Sequence, residues 1–179
     1  MSRDLTIPPQ LPAPGPGRAE AEAVIAFGAN LGDREATIRE AAERIERLPL
    51  VRDMRLSALA DTVAVRPDGP DAGAPRYLNA VALITTRLAP EILLGMLHAI
   101  EDEYGRERHE RWGDRTLDLD LVAYGDVTSD QPRLQLPHPR AAERLFVLEP
   151  WLSLDPDADL VEHGRVADLV AALRAQDAG

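Results

Sequence analysis

RWGDRTLDLDLVAYG, residues 111–125, begins in an arginine cluster and ends in a strand. Leu117, Leu119 and Leu121 alternate with Asp118 and Asp120, the two-residue period of a strand with two different faces. Residues 116–124 are read as that strand, with the leucines on one face and both aspartates on the other. Working outward, "YLNAVALITT" (77–86) reads as another strand, and Pro90 opens a helix whose apolar stripe is Leu93, Leu94, Leu97, Ile100 and Tyr104. Gly105 is read as its end. Upstream, "AVIAF" (23–27) is a short apolar run closed by Gly28, the mark of a buried strand. "GANLGD" (28–33) turns into a helix capped by Asp33, with Ile38, Ala41, Ala42, Ile45 and Leu48 at helical spacing. Residues 54–62 read as one strand, and "VRPDGPDAGAP" (65–75) as a long Pro/Gly loop without structure of its own.

The order is β-α-β-β-α-β. The expected fold class is α+β: a ferredoxin-like core with an antiparallel sheet flanked by helices, and a C-terminal extension. That extension (133–179) is expected to hold a loop, a short apolar segment and a terminal helix over 166–176. Residues 1–22, rich in Pro, Ala and Gly, read as a disordered tail, leaving 23–179 as a single domain.

The chain has 179 residues and a net charge of −11. That charge argues against a general nucleic-acid binder, whose affinity comes from neutralised phosphates. No apolar run is long enough to span a bilayer, and no signal-type core opens the chain, so a cytoplasmic protein is expected. With no cysteine, thiolate metal sites and cysteine nucleophiles are excluded. All 20 basic residues are arginine, so the lysine-dependent phosphate loop cannot occur.

Two carboxylates on one strand face lie roughly 6.6 Å apart along the strand. At about 5 Å they repel by roughly 3 kcal/mol at an effective dielectric near 20. Solvent, arginine or a cation must offset that. A solvated acidic face is one reading; a magnesium site is the other, since Mg²⁺ favours oxygen and is often held by one or two carboxylates plus substrate phosphates. Arg106, Arg108, Arg111 and Arg115 lie just upstream, suited to loose phosphate oxygens, though interleaved acids also allow ordinary ion pairing. Trp112 offers a flat face for a ring. Glu101 sits on or beside an apolar stripe and needs a partner, one candidate being an arginine of the next loop. Tyr77 and Asn79 share a strand face, and Asn79 presents both donor and acceptor to a heterocycle edge.

"FGANLGD" (27–33), "YLNAVALITT" (77–86), "LHAIEDEYGRERHERWGDRTLDLDLVAYG" (97–125) and "LPHPRAAERLFVLEPW" (136–151) together resemble the 6-hydroxymethyl-7,8-dihydropterin pyrophosphokinases of folate biosynthesis. The resemblance runs from about residue 24 to 156. It implies transfer of the β,γ-diphosphoryl unit of ATP to the hydroxymethyl group of a reduced pterin, releasing AMP, with two Mg²⁺ ions between the aspartates and ATP. It implies Asp118 and Asp120 as metal ligands and Arg106 and Arg115 near the phosphates. Thr62, Tyr77, Asn79, Trp112 and Phe146 would contact the pterin, the two aromatics sandwiching its ring. His98, Glu101, Arg108, Arg111, Leu121, Arg133, Gln135, His138 and Arg144 would line the ATP side. The implied partners are small molecules only, with no nucleic acid and no membrane, and the implied state is a monomer. The chain departs from the family pattern at Ala29, at Asp114 and in the 65–75 loop.

A ferredoxin-like fold also serves RNA-binding modules that stack bases on aromatics. Only 4% of these residues are aromatic and the chain is acidic, which disfavours that class. A ligand-binding regulatory domain would need neither the aspartate pair nor the arginine loop. Another metal-dependent ATP-using transferase with a different acceptor is the third alternative.

Overall fold

β1 (Ala21–Ala29) lies at the centre because it is apolar on both faces. Ile25 and Phe27 join one buried cluster, Val24 and Ala26 another on the opposite face. A continuous apolar run of this kind needs cover on both sides. The computed structural model describes residues 19–66, 69–71, 75–104 and 116–177.

One cover is α1 (Arg34–Glu46), started by Asp33, whose Oδ1 accepts the Ala36 N–H at 3.1 Å. Its Ile38, Ala41 and Ile45 are fully buried. β2 (Val51–Leu56) and β3 (Ala60–Thr62) follow. They divide what the sequence reads as one strand over 54–62. The divider is Ser57, whose hydroxyl accepts the Val81 N–H at 3.0 Å and donates to the Ala58 carbonyl. A serine side chain that takes over a ladder bond interrupts the strand locally.

β4 (Ala64–Arg66) and β5 (Gly69–Asp71) pair antiparallel, with Val65 opposite Pro70. The 65–75 segment thus carries a small hairpin, contrary to the expectation of a loop without structure. Three-residue strands are too short for a period to register, and proline is tolerated where a strand has a free edge.

β6 (Tyr77–Thr86) pairs with β1 along its length, and α2 (Pro90–Glu103) runs back over the same face as α1. β7 (Asp118–Tyr124) completes the sheet. The strand order is β2-β6-β1-β7 with antiparallel neighbours, and β3 continues beside β6 where β2 leaves off. This is the ferredoxin-like arrangement expected from the element order.

The extension supplies the second cover. β8 (Ser129–Gln131) and β9 (Leu134–Leu136) form a hairpin, and α3 (Leu145–Leu154) follows a short 3₁₀ turn at 141–143. β10 (Asp159–Leu160) and β11 (Gly164–Arg165) lead into α4 (Val166–Asp177). The short apolar segment of the extension is therefore a helix. Val147, Leu148 and Trp151 of α3, with Val166 and Val170 of α4, pack on Val24, Val81, Leu83 and Val122 of the sheet. Each buried Leu or Val there contributes roughly 1.5–3 kcal/mol of transfer free energy. Among the described residues no helix is long and apolar enough to cross a membrane.

Candidate active site

The antiparallel registers align one row of residues across the sheet. Gly28 of β1 stands opposite Asn79 of β6 on one side and opposite Asp118 of β7 on the other. A Cβ built on Gly28 would lie 3.4 Å from Asn79 Oδ1, 3.8 Å from Asp118 Cβ and 3.8 Å from the Tyr77 ring. Its φ is not in the left-handed region, so conformation does not demand glycine here. A Cβ alone would make ordinary van der Waals contact, but a longer side chain would rise between Asn79, Asp118 and the Tyr77 ring, which share one floor. In the sequence Gly28 reads only as the stop of an apolar run, because nothing local shows which residues stand across from it. Gly28→Val should fold, being strand-compatible, and, if this floor takes the pterin that the resemblance implies, should weaken its binding by about fivefold to a hundredfold, the cost of crowding a packed site. Titration calorimetry with the pterin checks it; unchanged affinity would mean the floor is not used.

Asn79 is 5% exposed, and its Nδ2 donates to Thr62 Oγ1 at 2.6 Å. Thr62 is opposite Tyr77 in the β3–β6 register, so Thr62, Tyr77 and Asn79 form one corner of the floor.

Asp118 and Asp120 are half-buried, while Leu117, Leu119 and Leu121 are buried against α1 and α2. The predicted division of faces holds. Beneath the strand, Glu101 is 1% exposed and one of its oxygens accepts the Leu119 N–H at 2.8 Å. That bond grips the backbone between the two aspartates from the core side. On the outer side, Arg144 Nη1 donates to Asp120 Oδ2 at 3.1 Å, and His138 Nε2 lies 3.8 Å from the same oxygen.

A bulge in β7 makes this approach possible. Val24 opposes Ala123 and Ile25 opposes Leu121, so Val122 has no direct opposite. Its carbonyl accepts the His138 N–H at 2.8 Å, drawing the segment after β9 onto the strand. The His138 Nδ1 accepts the Arg140 N–H at 3.1 Å, which leaves Nε2 to face Asp120. Burial pushes the His138 imidazole below its ordinary pKa, with Asp120 opposing the shift. A neutral ring leaves the aspartate charge available to a cation. The Arg144 guanidinium also lies 5.6 Å from the centre of the Phe146 ring, within cation–π reach.

Two oxygen donors side by side suit a hard divalent cation that takes its other ligands from water and phosphate. Among the described residues no group of three or more His, Cys, Asp or Glu forms a complete metal cage. The carboxylate pair fits a cation shared with a substrate, and the contacts of Arg144 and His138 both fall on Oδ2 of Asp120.

Of the other expected site residues, His98 is exposed on α2, Arg133 is exposed before β9 and Gln135 is exposed on it. Leu121 points its side chain into the core. Arg106, Arg108, Arg111, Trp112 and Arg115 lie outside the described residues.

A family model described as 7,8-dihydro-6-hydroxymethylpterin-pyrophosphokinase matches residues 24–156. This chain belongs to that family. The 2-amino-4-hydroxy-6-hydroxymethyldihydropteridine pyrophosphokinase of Pseudomonas aeruginosa is 43% identical over 148 residues, 83% of this chain and 89% of that one. The enzyme of the same name from Bacillus subtilis is 40% identical over 128 residues, 72% of this chain and 74% of that one. Among solved structures, Plasmodium falciparum HPPK-DHPS with pterin and p-hydrobenzoate superposes with a TM-score of 0.66 at 12% identity. The match covers 89% of this chain and 45% of that longer one, and at this identity it speaks for the fold alone. The sheet order and the helices on both faces are thus those of the pyrophosphokinase family.

Proposed function

We propose that the Asp118–Asp120 end of the sheet holds a magnesium–ATP complex and that the Thr62–Tyr77–Asn79 corner holds the pterin. The chain is an ATP-dependent diphosphotransferase of folate biosynthesis: it transfers diphosphate from ATP to the hydroxymethyl group of 6-hydroxymethyl-7,8-dihydropterin and releases AMP. The observation that carries the site reading is the row across Gly28, which stands opposite both Asn79 and Asp118 and, lacking a side chain of its own, leaves the amide and the aspartate on one floor. An acceptor oriented by Asn79 presents its hydroxyl to phosphates gathered at Asp118.

In this reading Asp118 and Asp120 would hold two Mg²⁺ ions, which would neutralise phosphate charge. Asn79 orients the ring through its donor and acceptor, while Tyr77 and Thr62 line the same corner. Phe146 and Trp112 stack on the two ring faces and exclude water, which would otherwise compete as acceptor. Phosphoryl transfer spreads charge over the equatorial oxygens and leaves the protein mainly positioning and charge stabilisation. Arg106 and Arg115 meet that charge. Arg108, Arg111, His98, Arg133, Gln135, His138 and Arg144 line the ATP side, Leu121 through its backbone. Glu101 acts from beneath by fixing the strand. The reading of Arg144 as a phosphate contact is supported by its place beside Asp120, where its guanidinium would also face phosphates held there. We read the protein as a cytoplasmic monomer.

One assay tests the function. The protein is incubated with ATP, Mg²⁺ and the dihydropterin, and nucleotides are separated. Pterin-dependent AMP is expected; ADP would mean a different phosphoryl transfer.

A further inference from the structure

Behind the pterin corner lies a cluster of charges that no step above uses. Asp61 immediately precedes Thr62, and Arg76 immediately precedes Tyr77. Arg76 Nε donates to Asp61 Oδ1 at 2.9 Å, and Arg76 Nη2 donates to the Asp61 backbone carbonyl at 3.2 Å. Arg34, the first residue of α1, reaches both: its Nη1 lies 3.5 Å from Asp61 Oδ1 and donates to the Arg76 carbonyl at 2.7 Å. Three chain segments, the start of α1, the edge strand β3 and the entry to β6, are thereby tied at one point.

The register puts this cluster on the back of the corner. Asp61 stands opposite Leu78, which packs against the α1–α2 side of the core, whereas Thr62 stands opposite Tyr77. Side chains alternate along a strand, so Asp61 and Arg76 face α1 while Thr62, Tyr77 and Asn79 face the floor. The cluster therefore grips the strands without meeting substrate.

β3 needs such a grip. It is three residues long, sits at the sheet edge and has β6 as its ladder partner. Short edge elements with few buried contacts open most readily. If β3 drifts, Thr62 Oγ1 leaves Asn79 Nδ2, and the amide loses the bond that sets its orientation.

We propose that Arg34, Asp61 and Arg76 form an ion-pair clamp that positions Thr62 and Asn79 for the pterin and so sets acceptor affinity independently of ATP. The inference rests on the pterin reading of that corner. Ordinary exposed pairs contribute little, and the within-helix pairs Arg39–Glu35 and Arg47–Glu43 are of that kind. The clamp differs because one carboxylate receives two guanidinium groups from segments distant in sequence, with backbone carbonyls engaged as well. The Arg76 hydrogen bond holds the Asp61 carboxyl below its ordinary pKa, so the carboxylate keeps its charge further into acid than a free one.

The test measures pterin and ATP binding by calorimetry, together with the melting temperature, in the full chain. Asp61→Ala and Arg76→Ala should each raise the pterin Kd by roughly threefold to tenfold, with ATP affinity and melting temperature near wild type. The double variant Asp61→Arg with Arg76→Asp should recover most of the loss. High salt should weaken pterin binding in the wild type more than in Asp61→Ala. Asn79→Ala serves as the control. If Asn79→Ala loses pterin affinity while both clamp variants keep it, the clamp is overturned and the pterin corner stands. If Asn79→Ala also keeps it, the pterin corner itself is wrong and the clamp falls with it. A parallel loss of pterin affinity, ATP affinity and melting temperature would reduce the cluster to a general stabiliser, which also overturns the proposal.

Discussion

Asp120→Asn is expected to slow pterin-dependent AMP release about a thousandfold, equivalent to about 4 kcal/mol of transition-state stabilisation. Asparagine keeps the shape of the side chain and an oxygen for the Arg144 guanidinium, which now sits 3.1 Å from Asp120 Oδ2. What it removes is the negative charge beside Asp118, and with it, on the proposed reading, the ability to hold a divalent cation against a triphosphate. Stability should change little, because the Asp120–Arg144 pair is partly solvated and such pairs contribute at most about 1 kcal/mol. The variant should therefore melt within a few degrees of wild type while turnover collapses. Steady-state AMP release and thermal melting, measured on one preparation, decide the matter. Near-wild-type turnover would show that the aspartate pair is only an acidic surface, and the metal reading would fail.

Asn79→Ala should raise the pterin Kd about a hundredfold and leave the ATP Kd within about twofold. Asn79 is buried, and its Nδ2 is committed to Thr62. Its oxygen side faces the floor over Gly28. Alanine removes a polar edge that a heterocycle would use and strands the Thr62 hydroxyl. A site built to hydrogen-bond a ligand loses far more on such truncation than an apolar site does. ATP, which the proposed reading gathers on the β7 side, should not register the change. Calorimetry with each ligand separately is the check; equal losses for both would remove the pterin assignment.

The two variants address strands on opposite sides of β1, and that relation marks the boundary between local and long-range information. Asp118 and Asp120 could be placed on one face from the two-residue period alone, and the buried leucines bear this out. Asp33 as a helix cap and Pro90 at a helix start were equally local readings, and both hold. Ser57 shows the opposite case: its hydroxyl breaks a strand only because Val81 lies across from it. α3 was legible as apolar but not as a helix, since Glu149 and Ser153 are its only polar residues and a segment apolar on nearly every side carries little period. The arginine loop and Trp112, so prominent in the sequence, lie outside the described residues.

By itself the amino-acid order determined the alternation of helices and strands, the ferredoxin-like class and the common face of the two aspartates, because each depends on neighbours a few residues away. Only the tertiary structure decided that Gly28 separates Asn79 from Asp118, that Arg144 and His138 converge on Asp120, and that Arg34 and Arg76 meet at Asp61. Those meetings join residues from 15 to 90 positions apart. Their registers are set by burying both faces of β1 at once, a requirement on the whole sheet that no local pattern contains.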